Sequence, residues 1–352
     1  MIPREECDKL LVLAAKAPSG DNAQPWKFVI SENAIDIYNI PGKDSSPYNF
    51  KERGSFFAHG AVIENITILL SAAGYDAGIA LFPDEDNNHI ARITITKKNE
   101  GRDEPFVDMI ALRKTNRTPY KNISLADGHA EALINITKEF GFGELHMIQD
   151  QKAIAKLAKI LSLSDQLIFE DKAIHDAIFL SIRWTKEDEE AKKGLYIKTL
   201  ELPPPAQVLF KLMKNWSLLR LLNQINISKF IASQSAKNYA ASSAFGVITV
   251  PDTKKESFVR AGMLFQGIWL TATKEKLDVQ PTTALAYLAQ RIRENAPLDL
   301  SQVHQEQIIQ AEKDIRRMFD INNGTIAMIF RMGYGKTPTA QSQKSIPEIV
   351  YS

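Results

Sequence analysis

An α+β fold, with antiparallel or mixed sheets flanked by helices, is what this sequence predicts. Three observations predict it. Long apolar helical patterns are mixed with short, scattered strand patterns. Two of the most apolar helices repeat one another at a fixed offset. The chain has 352 residues, 44% apolar and 24% charged, the balance of a globular chain with one large domain or two ordinary ones.

Taken in order, 5–17 patterns as a helix, with Leu10, Leu11, Leu13, Ala14 and Ala17 on its apolar face. Pro18 to Asn22 breaks it. Segments 26–30 and 34–40 read as a hairpin around Ser31, Glu32 and Asn33. Then come a strongly apolar helix at 59–73, an alternating strand at 90–96 and a short helix at 105–113 that ends in a basic cluster. A helix at 127–140, a strand at 145–148 and a further helix from Gln151 follow. Segment 184–232 differs in composition. It holds an acidic run at 187–190, three prolines at 203–205 and a Leu-rich stretch around Trp216. It reads as a charged helix, a rigid turn and an apolar helix, either a lid or a surface insertion without function. A strand at 244–250, helices at 257–275 and 303–319, and a strand at 325–332 complete the pattern.

The repeat joins helices 59–73 and 257–275 without gaps. An offset of 202 places Gly60 on Gly262, Ile66 on Ile268, Ile68 on Leu270, Ser71 on Thr273 and Asp76 on Asp278. Either the fold is duplicated within the chain, or two buried helices resemble each other by composition. Duplication divides the chain into halves at 1–104 and 105–352, with 184–232 inserted in the second.

Composition also excludes classes. The formal charge is +1, so bulk electrostatics support neither nucleic acid nor an acidic membrane as partner. The single cysteine, Cys7, rules out an internal disulfide framework and a Cys-based zinc site. The N-terminus lacks the pattern of a secretory signal. No run of about 18 apolar residues predicts a membrane span. These readings leave no metal site as the expectation and are compatible with a cytoplasmic location. The six histidines lack metal-ligand spacing, and no Gly-x-Gly-x-x-Gly follows a strand.

Four segments could carry chemistry, though each alone also reads as an ordinary loop or tail. In 17–26, Ser19, Asn22 and Gln24 supply short polar groups, and Gly20 permits close approach of a ligand. In 113–120, Arg113, Thr115 and Arg117 alternate as forked cations and a hydroxyl that can surround a phosphate. The turn at 279–285 exposes backbone N–H groups. The tail after Gly333 carries Lys344.

Together these segments resemble the FMN-dependent nitroreductase family, and within it the single-chain tandem members whose two halves mimic a homodimer. The resemblance covers most of the chain outside 184–232. Its most specific element is 17–26, which matches Ala-Pro-Ser-x-x-Asn-x-Gln-Pro-Trp at every specified position. By that resemblance Pro18, Ser19, Gly20 and Asn22 border the flavin. Arg113, Thr115 and Arg117 match Arg-x-Ser-x-Arg with Thr for Ser, and hold the phosphate and the polar edge of the ring. Gln234 and Lys237 face the pyrimidine side, with Lys237 near N1 and O2. Thr283 or Ala284 presents a backbone N–H to N5. The family's phosphate-binding arginine in the tail is absent, and Lys344 supplies the charge without the fork.

Ala-Pro-Ser-x-x-Asn occurs only in the first half, and Arg-x-Thr-x-Arg with the basic tail only in the second. The resemblance therefore implies one FMN per chain, between the halves, in a monomeric pseudo-dimer or a homodimer of it. The implied activity is ping-pong transfer of hydride from NAD(P)H to an electron-poor acceptor such as a nitroaromatic or quinone. No protein acid or base is required. The alternatives are an FMN-sequestering, stress-related protein whose flavin is closed off by 184–232, and another reaction on the same fold, such as dehydrogenation or reductive dehalogenation.

Overall fold

The structure is a computed structural model that describes residues 2–97, 105–296 and 299–352. The expected division at 104/105 abuts 98–104, which lie outside the described residues.

Helix α1 (Arg4–Ala14) buries Cys7, Leu10, Leu11 and Ala14 on one face. Strands β1 (Trp26–Ser31) and β2 (Ala34–Asn39) form the expected hairpin, paired from Trp26↔Asn39 to Ser31↔Ala34. Helix α2 (Arg53–Ala72), β3 (Tyr75–Leu81) and β4 (His89–Lys97) follow. Next come α3 (Val107–Leu112), α4 (His129–Phe140), β5 (Glu144–Ile148), α5 (Gln151–Leu161), α6 (Leu163–Glu170) and α7 (Lys172–Ser181). The compositionally distinct segment forms β6 (Ile182–Arg183), α8 (Lys186–Glu189), β7 (Leu195–Tyr196), α9 (Pro204–Leu212) and α10 (Trp216–Asn223), and runs into α11 (Ile227–Ala240). The chain ends with β8 (Ala244–Val250), α12 (Lys255–Lys274), β9 (Asp278–Pro281), α13 (Ala284–Arg293), α14 (Gln302–Met318), β10 (Thr325–Gly333) and β11 (Glu348–Tyr351). Strands β3 and β9 and helix α13 were not among the sequence expectations. β3 alternates in the structure, with Tyr75, Ala77, Ile79 and Leu81 on its less exposed face, but Gly78 and Ala80 between them blur that pattern in the sequence, and β9 is four residues long and ends in proline.

Two sheets share one plan. The first has the order β11-β1-β2-β4-β3 and the second β5-β8-β10-β9. Without β11, both run first-second-fourth-third, with every neighbouring pair antiparallel. Both place a long helix after the second strand, α2 in one and α12 in the other. Each of these helices is 20 residues long. The offset that aligns their sequences also separates their first residues, Arg53 and Lys255, and their last, Ala72 and Lys274. The tail crosses between sheets, because β11 pairs parallel with β1, from Lys27↔Glu348 to Ile30↔Tyr351.

The repeated helices pack on each other where their sequences align. A Cβ on Gly60 would lie 1.9 Å from the Val259 carbonyl oxygen, and a Cβ on Gly262 would lie 1.9 Å from that of Phe57. Only glycine allows backbones this close. Around the crossing, Phe57 and Phe265 meet at 5.6 Å between centroids. One turn further, the Gln266 side-chain amide donates to Asn65 Oδ1 at 2.8 Å, with both residues fully buried. The stretch from Phe50 to Ala72 is apolar and long enough to cross a membrane, but 72% of that window is buried inside the protein.

The distinct segment has a small core of its own. Phe169, Phe179, Ile182, Phe210, Met213 and Leu219 form it, with Phe179 stacked on Phe210 at 4.8 Å. Phe169 and Phe179 belong to α6 and α7. The helical unit therefore reaches back before 184, because the aromatic side chains of its later helices need those earlier ones to bury against.

Candidate functional site

Helix α1 stops at Ala14, and the loop that follows carries three non-glycine residues with positive φ: Asp21 (44°), Asn22 (58°) and Gln24 (53°). Such conformations persist only where surroundings enforce them. Here hydrogen bonds do so. The Gln24 N–H donates to Ser19 Oγ (3.0 Å). The Asn22 amide donates to the Gln343 carbonyl (2.8 Å). The Gln24 amide donates to the carbonyls of Asn22 and Lys192 (3.1 and 2.7 Å), and its Oε1 accepts from the Ser345 N–H (2.9 Å). Asn22 and Gln24 thus fasten the loop to the tail and to the turn after α8. Gly20 lies against Asp44, whose Oδ2 would sit 2.6 Å from a Cβ there.

The basic segment meets this loop. Arg113, at the C-terminus of α3, donates from Nη2 to the Lys16 carbonyl at 2.8 Å. Its guanidinium lies 4.4 Å from the Trp269 ring centroid. It is buried, its Nε has no partner, and burial lowers its pKa to about 10. Lys344 donates to the next carbonyl, that of Ala17, at 2.9 Å. Burial, then the neighbouring Arg113 charge, pull its pKa down to about 7. Among the described residues neither cation has a carboxylate partner. Buried Arg113, with an unused guanidinium N–H, and half-buried Lys344 beside it could together hold an anion. A phosphate fits this donor set.

Arg117 is differently engaged. It donates to the Thr199 carbonyl at 3.3 Å. Burial lowers its pKa while Asp21 opposes the shift. Asp21 is correspondingly raised by burial, with Arg117 and the Ser181 hydroxyl pulling the other way. Thr115 forms a parallel bridge to Val279, and the Asn116 N–H donates to the Val279 carbonyl at 3.1 Å. This joins the basic segment to the turn before α13. In that turn the Thr283 hydroxyl donates to the Ile329 carbonyl (3.1 Å) and accepts from its N–H (3.0 Å), pinning the helix start to β10. The N–H groups of Thr283 and Ala284 open α13, where a helix has no internal acceptors to offer. Gln234 and Lys237 are exposed on α11. On the same helix the Asn238 amide donates to the Arg117 carbonyl at 3.2 Å.

The loop, the basic segment, the turn and the tail are thus linked by direct hydrogen bonds, and α11 abuts them through Asn238. A separate cavity of about 400 Å³, lined by residues including Cys7, Tyr75 and Tyr351, contains none of them.

Sequence reasoning missed Arg331, which ties three of these segments together. It is fully buried on β10. Nε donates to Gln280 Oε1 (2.7 Å), Nη1 to the Asn238 carbonyl (3.2 Å) and Nη2 to the Thr118 carbonyl (3.0 Å). Its signal was legible, since it is the one charged side chain in the apolar run 325–333. Arg331→Met leaves these acceptors without their donor, at a cost of about 1–3 kcal/mol for each that stays unsatisfied. The expected result is a clearly lower melting temperature and faster hydrogen exchange across 115–120. An unchanged melt would remove Arg331 from this role.

The segment after α7 lies across the site. The Gln343 N–H donates to Glu189, the Tyr196 N–H to Ser342 Oγ (3.1 Å) and the Thr339 N–H to Glu201 Oε1 (2.7 Å). With Lys192 on Gln24 and Thr199 on Arg117, residues 189–201 run along the loop, the tail and the basic segment.

No protein-family profile matches the chain. It is similar to the uncharacterized protein MT1398 of Mycobacterium tuberculosis strain CDC 1551, 24% identical over 351 residues, which are 98% of this chain and 48% of that protein. It is 25% identical over 199 residues to a protein of Mycobacterium tuberculosis strain H37Rv described as "Putative NAD(P)H nitroreductase acg", covering 55% of this chain and 58% of that one. The chain spans about half the length of the curated relatives it matches. Among solved structures it is similar to a nitroreductase with bound FMN from Bacteroides fragilis (TM-score 0.38, 6% identity, 69% of this chain and 95% of that one).

Proposed function

We propose that the chain is a flavoprotein of the nitroreductase family, built from two repeated halves and binding one FMN between them. The shared plan of the two sheets supports the repeat, and the relatives described as nitroreductases support the family. The observation that carries the cofactor is the pairing of buried Arg113 with half-buried Lys344, which lacks a counter-ion among the described residues.

In this reading Arg113 and Lys344 hold the phosphate beside the carbonyls of Lys16 and Ala17. Pro18, Ser19, Gly20 and Asn22 border the ring, and the rigid loop fixes their positions. Thr115 and Arg117 line the polar edge, where Asp21 moderates the charge of Arg117. The N–H group of Thr283 or Ala284 would donate to the ring nitrogen that exchanges hydride. Lys237 and Gln234 stand at the pyrimidine side, where a lysine's positive charge favours the reduced anion. Residues 189–201 exclude water. Bound FMN would supply the redox chemistry, taking hydride from NAD(P)H and passing electrons to an electron-poor acceptor such as a nitroaromatic or quinone.

Two measurements test this. The purified protein should be yellow, with one FMN per chain. Stopped-flow mixing with excess NADH or NADPH should bleach the flavin within seconds. A stable yellow colour under both reductants would sink the reductase reading and leave the sequestering one.

The anion site also predicts a pH dependence. Without an anion Lys344 titrates at about 7. A bound phosphate raises that value, so binding takes up a proton and FMN affinity falls as pH rises above about 7. In the anion-free protein the same lowered pKa has the opposite sense. The unfolded lysine, at 10.5, holds a proton the folded one has lost, so stability rises between the two values. Titration calorimetry in buffers of different ionisation enthalpy measures the uptake. Affinity that stays constant across this window would exclude Lys344 from the phosphate site.

A further inference from the structure

The near-neutral total charge hides a local imbalance. From 202 to 250 the chain has no Asp or Glu and five cations, Lys211, Lys214, Arg220, Lys229 and Lys237. All five are exposed. The same stretch holds large apolar side chains in water: Val208, Leu212, Leu221, Ile225 and Phe230 are each 55–74% exposed. Single exposed apolar residues are ordinary, but five within the 23 residues from 208 to 230 are not.

The cluster has a structural origin. Helices α9 and α10 are apolar on more than one side. Phe210, Met213 and Leu219 point inward and fill the small aromatic core. Val208 and Leu212 lie one turn apart on the outer side of α9, with Lys211 beside them. Arg220 and Leu221 adjoin on α10, and Lys229 and Phe230 on α11. A helix facing only water has a polar outer side. Leucine, isoleucine and phenylalanine mixed with lysine and arginine, and no acids, is the composition of a surface that rests in a lipid interface.

We propose that α9, α10 and the start of α11 dock the protein on an anionic bilayer, with the apolar side chains among the headgroups and the cations at lipid phosphates. Charge selects this occupant. A symmetric contact with a second copy would set these cations against each other with no carboxylate from the same stretch between them. Anionic lipid supplies the missing negative charge. The expectation of no acidic membrane partner rested on the total charge, which averages this face with the rest of the chain. The proposal does not depend on the cofactor.

Flotation of the full chain with lipid vesicles tests it. The protein should rise with vesicles containing about one-third phosphatidylglycerol and stay behind with pure phosphatidylcholine. High salt should weaken the association. The triple variant Leu221→Ser, Ile225→Ser, Phe230→Ser and the triple variant Lys211→Glu, Lys214→Glu, Arg220→Glu should each reduce co-flotation about tenfold or more. Circular dichroism melts superimposable on wild type verify that both remain folded. Wild type that never floats overturns the proposal, as do folded variants that float equally well. Sedimentation velocity covers the remaining occupant. A dimer abolished by the apolar variant, with no flotation of wild type, assigns the face to a second copy and also overturns the proposal.

Discussion

Arg113→Ala should leave the purified protein depleted of FMN after dialysis, where wild type keeps it. On the proposed phosphate role, the substitution would remove charge-assisted hydrogen bonds each contributing about 1.5–3 kcal/mol, or roughly a 10- to 150-fold weaker affinity per bond. It also strands the Lys16 carbonyl and uncovers the Trp269 face, so part of the loss comes from a loosened loop. Riboflavin, which lacks the phosphate, separates the two effects. The loosened loop weakens riboflavin as well, so an Arg113 that acts on the phosphate makes the loss for FMN clearly larger than the loss for riboflavin. Arg113→Lys should fall between, because it keeps the charge and loses the fork. FMN retention equal to wild type in the alanine variant would remove Arg113 from the site.

Gly262→Ala should strongly destabilise the packing of α2 on α12. The added methyl would stand 1.9 Å from the Phe57 carbonyl oxygen and 3.1 Å from the Gly60 Cα. Backbone cannot step aside as a side chain can, so α2 and α12 must separate. Separation opens gaps around Phe57, Phe265 and the Asn65–Gln266 hydrogen bond. Overpacking costs about 1–3 kcal/mol in ordinary cores, and a backbone clash at the centre of a helix pair belongs at or above the top of that range. The expected outcome is a large fall in melting temperature, with insoluble expression if the margin is exceeded. Gly60→Ala meets the Val259 carbonyl at the same distance and should behave alike. A Gly262→Ala protein that melts with wild type would mean that the helices are not in this contact.

Much of the architecture was legible along the chain. The hairpin at 26–39, the central strands and the long helices follow from hydrophobic period and from turn residues such as Glu32-Asn33. The offset of 202 was readable as well. It correctly singled out Gly60 and Gly262, although sequence alone could not say that they touch. Strand β9 was not legible. Its four residues, ending in proline, become a strand only because β10 offers an edge, with Phe330↔Pro281 to Gly333↔Asp278 in register.

The candidate site divides in the same way. Local chemistry showed residues 17–26 and 113–117 only as a polar loop after a broken helix and a basic turn, and the family resemblance singled them out as candidates. Residue types alone also marked Lys344 as a charge in the tail. What they could not reveal is that Arg113 and Lys344 become neighbours across 231 positions, or that Arg117 is moderated by Asp21. Nor could they reveal that Arg331 would bind Thr118, Asn238 and Gln280 at once.

By itself the sequence determined the periodicities, the repeat and which short segments carry donors and charge, because those properties depend on residues near one another in the chain. Only the tertiary structure decided which charges are desolvated, which are paired and which carbonyls they meet. Burial and Coulomb interaction depend on distance in space, and the crossing of α2 with α12 and the return of the tail onto β1 set those distances.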